Sequence, residues 1–130
     1  MTNTSETTSS NNNTASPTDE LVPFIAKKLS DKKAEQIVIL DLKGITTLAD
    51  YFIICNGVSD THLKSLADEV AEKTRVEYAE KPWRQEGLDT RRWIVLDYVN
   101  IVVHIFKEDT REHYGLEKMW NDAKITHYSD

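Results

Sequence analysis

Asn56-Gly57-Val58-Ser59 follows an apolar run and opens a helical pattern, so its backbone N–H groups could hold an anion at a helix start. The matching chemistry would be phosphate binding and, with carboxylates beside it, metal-assisted nucleotidyl transfer. The glycine pattern argues otherwise. No Gly-x-x-x-x-Gly-Lys occurs and no second glycine stands in the turn, so a tight turn followed by an N-cap is the expected role. Asp41, Asp50, Asp60 and Asp97 could converge at strand ends on magnesium, but none forms an Asp-x-Asp pair. A nucleotidyltransferase needs such neighbouring carboxylates to set metal on a triphosphate, which counts against that enzyme.

The remaining reactive groups are scattered. His62, His104, His113 and His127 show no i,i+4 pairing and no acidic partner pattern, so no metal is expected. Cys55 is the single cysteine, too few for a disulfide or a zinc site. Neither it nor Ser59 lies in a Gly-x-Ser-x-Gly elbow or a Cys-His signature. The expectation is a protein with no catalytic, cofactor-binding or metal-binding residues, and not an enzyme. His104 lies inside an apolar run, where a histidine satisfied by a neighbour's backbone or carboxylate is expected ahead of one at a partner surface.

Aromatic and arginine residues point to binding instead. Trp83-Arg84 and Arg91-Arg92-Trp93 flank the Pro82 segment, and both residue types are enriched at interface hot spots. Strand alternation places Trp93, Val95 and Asp97 on one face, which leaves Trp93 open between interface and core. Trp120, at helical spacing from Leu116, is expected in the core. The formal charge of −6 comes without a dense Lys/Arg block. Binding driven by phosphate neutralisation is therefore disfavoured, and a basic partner surface fits better.

These residues need a scaffold, and the length of 130 residues allows one domain. Residues 1–17 read as a disordered Ser/Thr/Asn-rich tail, 18–123 as the domain, and 124–130 as a flexible C-terminal tail. A first helix starts near Thr18 or Asp19 and ends near Asp31, with Leu21, Ile25 and Leu29 at four-residue spacing and Pro23 tolerable only in the first turn. Gln36 to Leu42 and Tyr51 to Cys55 read as strands, and Ser59 caps a long amphipathic helix. The segment from Pro82 to Gly87 is a loop or short edge strand, and Trp93 to Asp97 with Ile101 to Phe106 makes an antiparallel hairpin. Glu108 to Tyr114 is a short last helix broken at Gly115, after which Leu116, Met119 and Trp120 are spaced to pack back on the domain. The order predicts an α/β (α+β) single domain, a mixed β-sheet of about five strands with flanking helices in two or three layers. Neither an apolar leader nor a membrane-length apolar run occurs, so a soluble protein in a reducing cytosol is expected.

Asp50 to Ser59, Pro82 to Gly87, Trp93 to Asp97, Val102 to Phe106 and Arg111 with Tyr114 to Trp120 together resemble the Iojap or ribosomal silencing factor family, over roughly residues 20 to 123. The resemblance implies a nucleotidyltransferase-like fold without its catalytic carboxylates. It further implies a cytoplasmic factor that binds the large ribosomal subunit through ribosomal protein L fourteen and blocks joining of the small subunit when nutrients are scarce. Little direct RNA binding and no membrane contact are expected, and the free protein would be a monomer or homodimer. The contact surface is expected on Pro82, Trp83, Arg84, Glu86, Gly87, Trp93, Asp97, Arg111, Tyr114, Glu117 and Lys118, with Trp93 as leading anchor. A large-subunit assembly factor is the alternative, and a nucleotidyltransferase-type enzyme a more distant one. One departure stands out: the family's Gly-Asp in the hairpin is Val99-Asn100 here, so the turn is expected to change type or to carry its left-handed residue at Asn100.

Overall fold

Leu21, Ile25 and Leu29 recur on one side of the first helix because a four-residue step nearly closes a helical turn, and all three are buried in α1, Pro17–Asp31. The computed structural model describes residues 17–129, so the tail expected over residues 1–17 lies outside the described residues except for Pro17, which opens α1 instead. Because α1 opens at Pro17, Pro23 falls in its second turn and not its first. It is tolerated on the exposed side, where a carbonyl robbed of its donor can meet water.

The chain continues through β1 (Glu35–Asp41), β2 (Tyr51–Gly57), α2 (Asp60–Tyr78), β3 (Arg84–Glu86), β4 (Trp93–Asp97), β5 (Ile101–Lys107), α3 (Glu108–Tyr114), α4 (Leu116–Met119) and β6 (Lys124–His127). The strands form one sheet in the order β3-β4-β5-β2-β1-β6. Only β2 and β5 run parallel, and α2 lies in the connection that this pairing demands. The domain is thus the expected mixed α/β sheet, with six strands where about five were expected. The extra strand is β6, so the segment expected as a flexible tail forms an edge ladder on β1 instead. All four β6 side chains are exposed, so backbone hydrogen bonds hold it and no apolar alternation announces it.

The two sheet faces are covered unequally. Leu63, Leu66, Ala67 and Val70 of α2 join α1 over one face, burying Ile53, Ile94, Leu96, Val103 and Ile105. The other face buries Val38, Leu40, Phe52, Ile54 and Phe106, and Trp93, Val102, Leu116 and Trp120 pack partly against them. Trp120 meets Phe52 edge-on at 6.2 Å, as expected for a core residue, whereas Met119 is 64% exposed and does not pack back. Leu116 and Trp120, four residues apart, share the inward side, and Met119 falls outside it. Beyond the stack around Trp93, the outer part of this face, along β3 and β4, carries the exposed Arg84 and Glu86 and the half-buried Val95 and Asp97.

Two turns fix this region. Gly87, at φ 81°, ends β3, and a Cβ there would lie 1.9 Å from the Trp93 carbonyl oxygen, so only glycine fits. At the β4–β5 hairpin the left-handed residue is Val99, at φ 75°, and not Asn100. The Val99 N–H donates to Asp97 Oδ1 at 2.8 Å and the Asn100 N–H to the Tyr98 carbonyl at 3.0 Å, which holds the turn in this unusual shape.

Candidate partner-binding site

Strand register puts Arg84 beside Asp97, Glu86 beside Val95, Val95 beside His104 and Asp97 beside Val102, all on the less covered face. The charges are locally paired. Arg84 lies 3.2 Å from Glu86 and 3.6 Å from Asp97, and its guanidinium sits 5.1 Å from the Trp83 ring centre. Trp83 itself is 70% exposed.

Trp93 occupies the opposite end of β4, four residues or about 13 Å from Asp97. Its ring stacks on Phe106 at 5.0 Å and lies 4.6 Å from Tyr114 of α3. Its indole N–H donates to His104 Nδ1 at 3.1 Å, so the histidine is met by a tryptophan and not by the expected backbone or carboxylate. That bond fixes the neutral tautomer with its proton on Nε2, a buried atom without a hydrogen-bond partner among the described residues, and the imidazole meets the Phe52 ring edge-on at 4.5 Å between ring centres. Burial pushes the His104 pKa down to about 4, with the Asp97 charge opposing in part. Trp93 is half-buried: it is wedged into the domain and still shows an outer surface beside a cleft lined by Arg92, Thr110 and His113.

The expected contact residues therefore separate into groups. Pro82, Trp83, Arg84, Glu86 and Asp97 gather toward the hairpin end, and Trp93 and Tyr114 at the other, with Val95 and Val102 on the face between them. Gly87 acts through its backbone. Arg111 does not belong to the surface. Its guanidinium is buried, bonded to Asn56 Oδ1 and the Gln36 carbonyl at 2.7 Å each and to both Glu117 oxygens at 2.9 and 3.1 Å. A charge this buried must be paired, and the pairing clamps α3 and α4 to β1 and β2. Glu117 is spent in the same clamp, while Lys118 is exposed.

The residues that could have done chemistry have other tasks. Ser59 accepts the His62 N–H at 3.1 Å as N-cap of α2, and the Val58 N–H donates to His62 Nδ1 at 3.0 Å, so this turn is occupied by its own helix. Asp60 lies beyond the C-terminal end of β2 and pairs with Lys107 at 2.8 Å, whereas Asp41 and Asp97 stand at the other end of the sheet. Among the described residues no group of three or more His, Cys, Asp or Glu side chains comes together as a metal site. Burial drives the Cys55 thiol up to about 12, away from thiolate chemistry.

Residues 15–130 match the family described as "Ribosomal silencing factor during starvation". The chain belongs to the ribosomal silencing factor family. Among similar members of the family, the Ribosomal silencing factor RsfS of Halalkalibacterium halodurans is 41% identical over 104 residues, spanning 80% of this chain and 88% of its own. The Ribosomal silencing factor RsfS of Bacillus subtilis is 39% identical over 105 residues, spanning 81% and 88%. A crystal structure of a Chromobacterium violaceum protein, 26% identical, superposes with a TM-score of 0.76 over 86% of this silencing-factor chain and 92% of its own.

Proposed function

We propose that this protein binds the large ribosomal subunit at ribosomal protein L fourteen and, once seated, excludes the small subunit, repressing translation under nutrient limitation. One observation carries the reading: a sheet face left partly uncovered by its helices, with Val95 and Val102 at its centre, the half-buried Trp93 at one end, and at the other Arg84, beside which the exposed Trp83 stands. Such a surface recognises another surface and does no chemistry of its own, in keeping with the family and with the dispersed reactive groups. The formal charge of −6 favours a basic protein partner on an assembly otherwise dominated by phosphate. A rigid body of this size, with a radius of gyration of about 13 Å, is large enough to occlude an intersubunit contact. Among the described residues no helix is long and apolar enough to cross a membrane, and the proposed site of action is the cytoplasm.

Sucrose-gradient sedimentation of the tagged protein with ribosomal subunits tests the reading. The protein is expected with free large subunits and absent from joined ribosomes. Migration with joined ribosomes, or with neither subunit, would remove the proposal.

A further inference from the structure

Thr74, buried on α2, fixes two polar groups that lie away from the binding face described above. Its hydroxyl donates to the Val70 carbonyl at 2.9 Å, the bond a helical threonine makes to its own preceding turn. A hydroxyl has one proton, so in the 2.9 Å hydrogen bond between Thr74 Oγ1 and the Tyr98 hydroxyl the donor is Tyr98. The Tyr98 oxygen is left with lone pairs only. The Thr74 carbonyl meanwhile accepts the Glu80 N–H at 3.2 Å, where Ala79, left-handed at φ 55°, turns the chain out of the helix. Burial raises the Tyr98 phenol to about 12, and the charge of the nearby Glu80 adds to the rise, so the phenol stays neutral.

Glu80 and Tyr98 line one cleft of about 400 Å³, shared by the start of α1, the end of α2 and the β4–β5 hairpin. Leu21, Tyr78 and Ile101 line it as well, on the helix-covered side of the sheet. Its size is that of a small-molecule site. Glu80 is the one charged residue in the lining, and no side chain among the described residues pairs with it. A carboxylate and a phenol oxygen whose proton is already committed both accept hydrogen bonds, so the matching group is a cation with several N–H donors. The aromatic rings of Tyr78 and Tyr98 favour the same charge. Leu21 and Ile101 suit a hydrocarbon stem behind it.

We propose that this cleft binds a primary ammonium group on a short alkyl chain, with Glu80 and the Tyr98 oxygen accepting from the ammonium and Leu21 and Ile101 against the chain. The site goes beyond the large-subunit reading, and neither depends on the other. An ammonium of this kind belongs to a free amine or to a lysine side chain of another protein, and the choice of probes separates the two.

The test follows backbone amide chemical shifts of the full chain by NMR during titration with cadaverine, with acetyl-lysine methylamide and with glutarate, a dianion of similar length, at constant ionic strength. The amines should give saturable shifts gathered at Glu80, Tyr98 and Ile101, and glutarate none there. Glu80→Gln removes the charge from an exposed side chain, so it should melt with the wild type and bind cadaverine about fivefold more weakly, the worth of one exposed ion pair. Tighter binding of cadaverine assigns the cleft to a free amine and tighter binding of the lysine derivative to a protein lysine, and each upholds the proposal. Shifts that fail to saturate, or that spread over the acidic surface, would mean counterion binding only. Wild-type affinity in Glu80→Gln, or equal shifts with glutarate, would mean that charge does not select the ligand. Any of these results overturns the proposal.

Discussion

Trp83 and Trp93 share a residue type and differ in attachment. Trp83 touches the domain through its backbone and the Arg84 guanidinium, whereas Trp93 is stacked on Phe106 and Tyr114 and bonded to His104. Trp83→Ala should therefore leave the melting temperature unchanged and weaken large-subunit binding about tenfold or more. Trp93→Ala should weaken binding by a similar factor or more and also melt roughly 10 °C lower, because it opens a gap beside Phe106. Paired melting and binding measurements check both, and a Trp93→Ala protein that binds normally would remove Trp93 from the site. His104 gives a pH signature. Its folded pKa, near 4, lies below the ordinary 6.5, so the unfolded chain takes up a proton in that window that the native protein refuses. Its contribution is fully present above pH 6.5 and declines as pH falls towards 4, by up to roughly 3 kcal/mol. Comparing stability against pH for wild type and His104→Gln should show a steeper loss in wild type between pH 6.5 and 4, and parallel curves would contradict the assignment.

At the scale of elements, the clamp on α3 and α4 decides whether Tyr114 faces Trp93. Arg111→Ala leaves Asn56 and Glu117 without their shared donor and should cost about 3 kcal/mol, a fall of roughly 10 to 20 °C in melting temperature. Thermal denaturation checks this, and a near-wild-type melting temperature would show the clamp to be dispensable. Arg111 looked like a contact residue in the sequence because nothing local distinguishes a buried arginine from an exposed one. Its partners Gln36 and Asn56 are 75 and 55 residues away. The long elements were legible because their apolar spacing matches their period: four-residue steps in α1 and α2, β-branched runs in β1, β2 and β5. Strand β6 was not, since an edge strand with four exposed side chains carries no such pattern. Of the two expectations for the hairpin tip, a change of turn type holds and a left-handed Asn100 does not, because Asp97 and the hairpin ladder impose positive φ on Val99 against valine's own preference.

At the scale of the molecule, the uneven cover of the sheet joins fold to function. Two helices seal one face, two short helices cover part of the other, and what remains open carries the ion-paired Arg84, Glu86 and Asp97 beside Val95, Val102 and the outer surface of Trp93. On the proposed reading the protein acts by occupying space, so its effect should follow its bound fraction and need no turnover. The direct measurement is the rate at which purified large and small subunits join, followed by light scattering, with the protein titrated in and no nucleotide present. Joining should slow in proportion to the large subunits occupied, and Trp83→Ala should shift the titration to higher concentration without changing its end point. Inhibition that appears only with ATP, or undiminished joining when the large subunits are saturated, would contradict steric silencing.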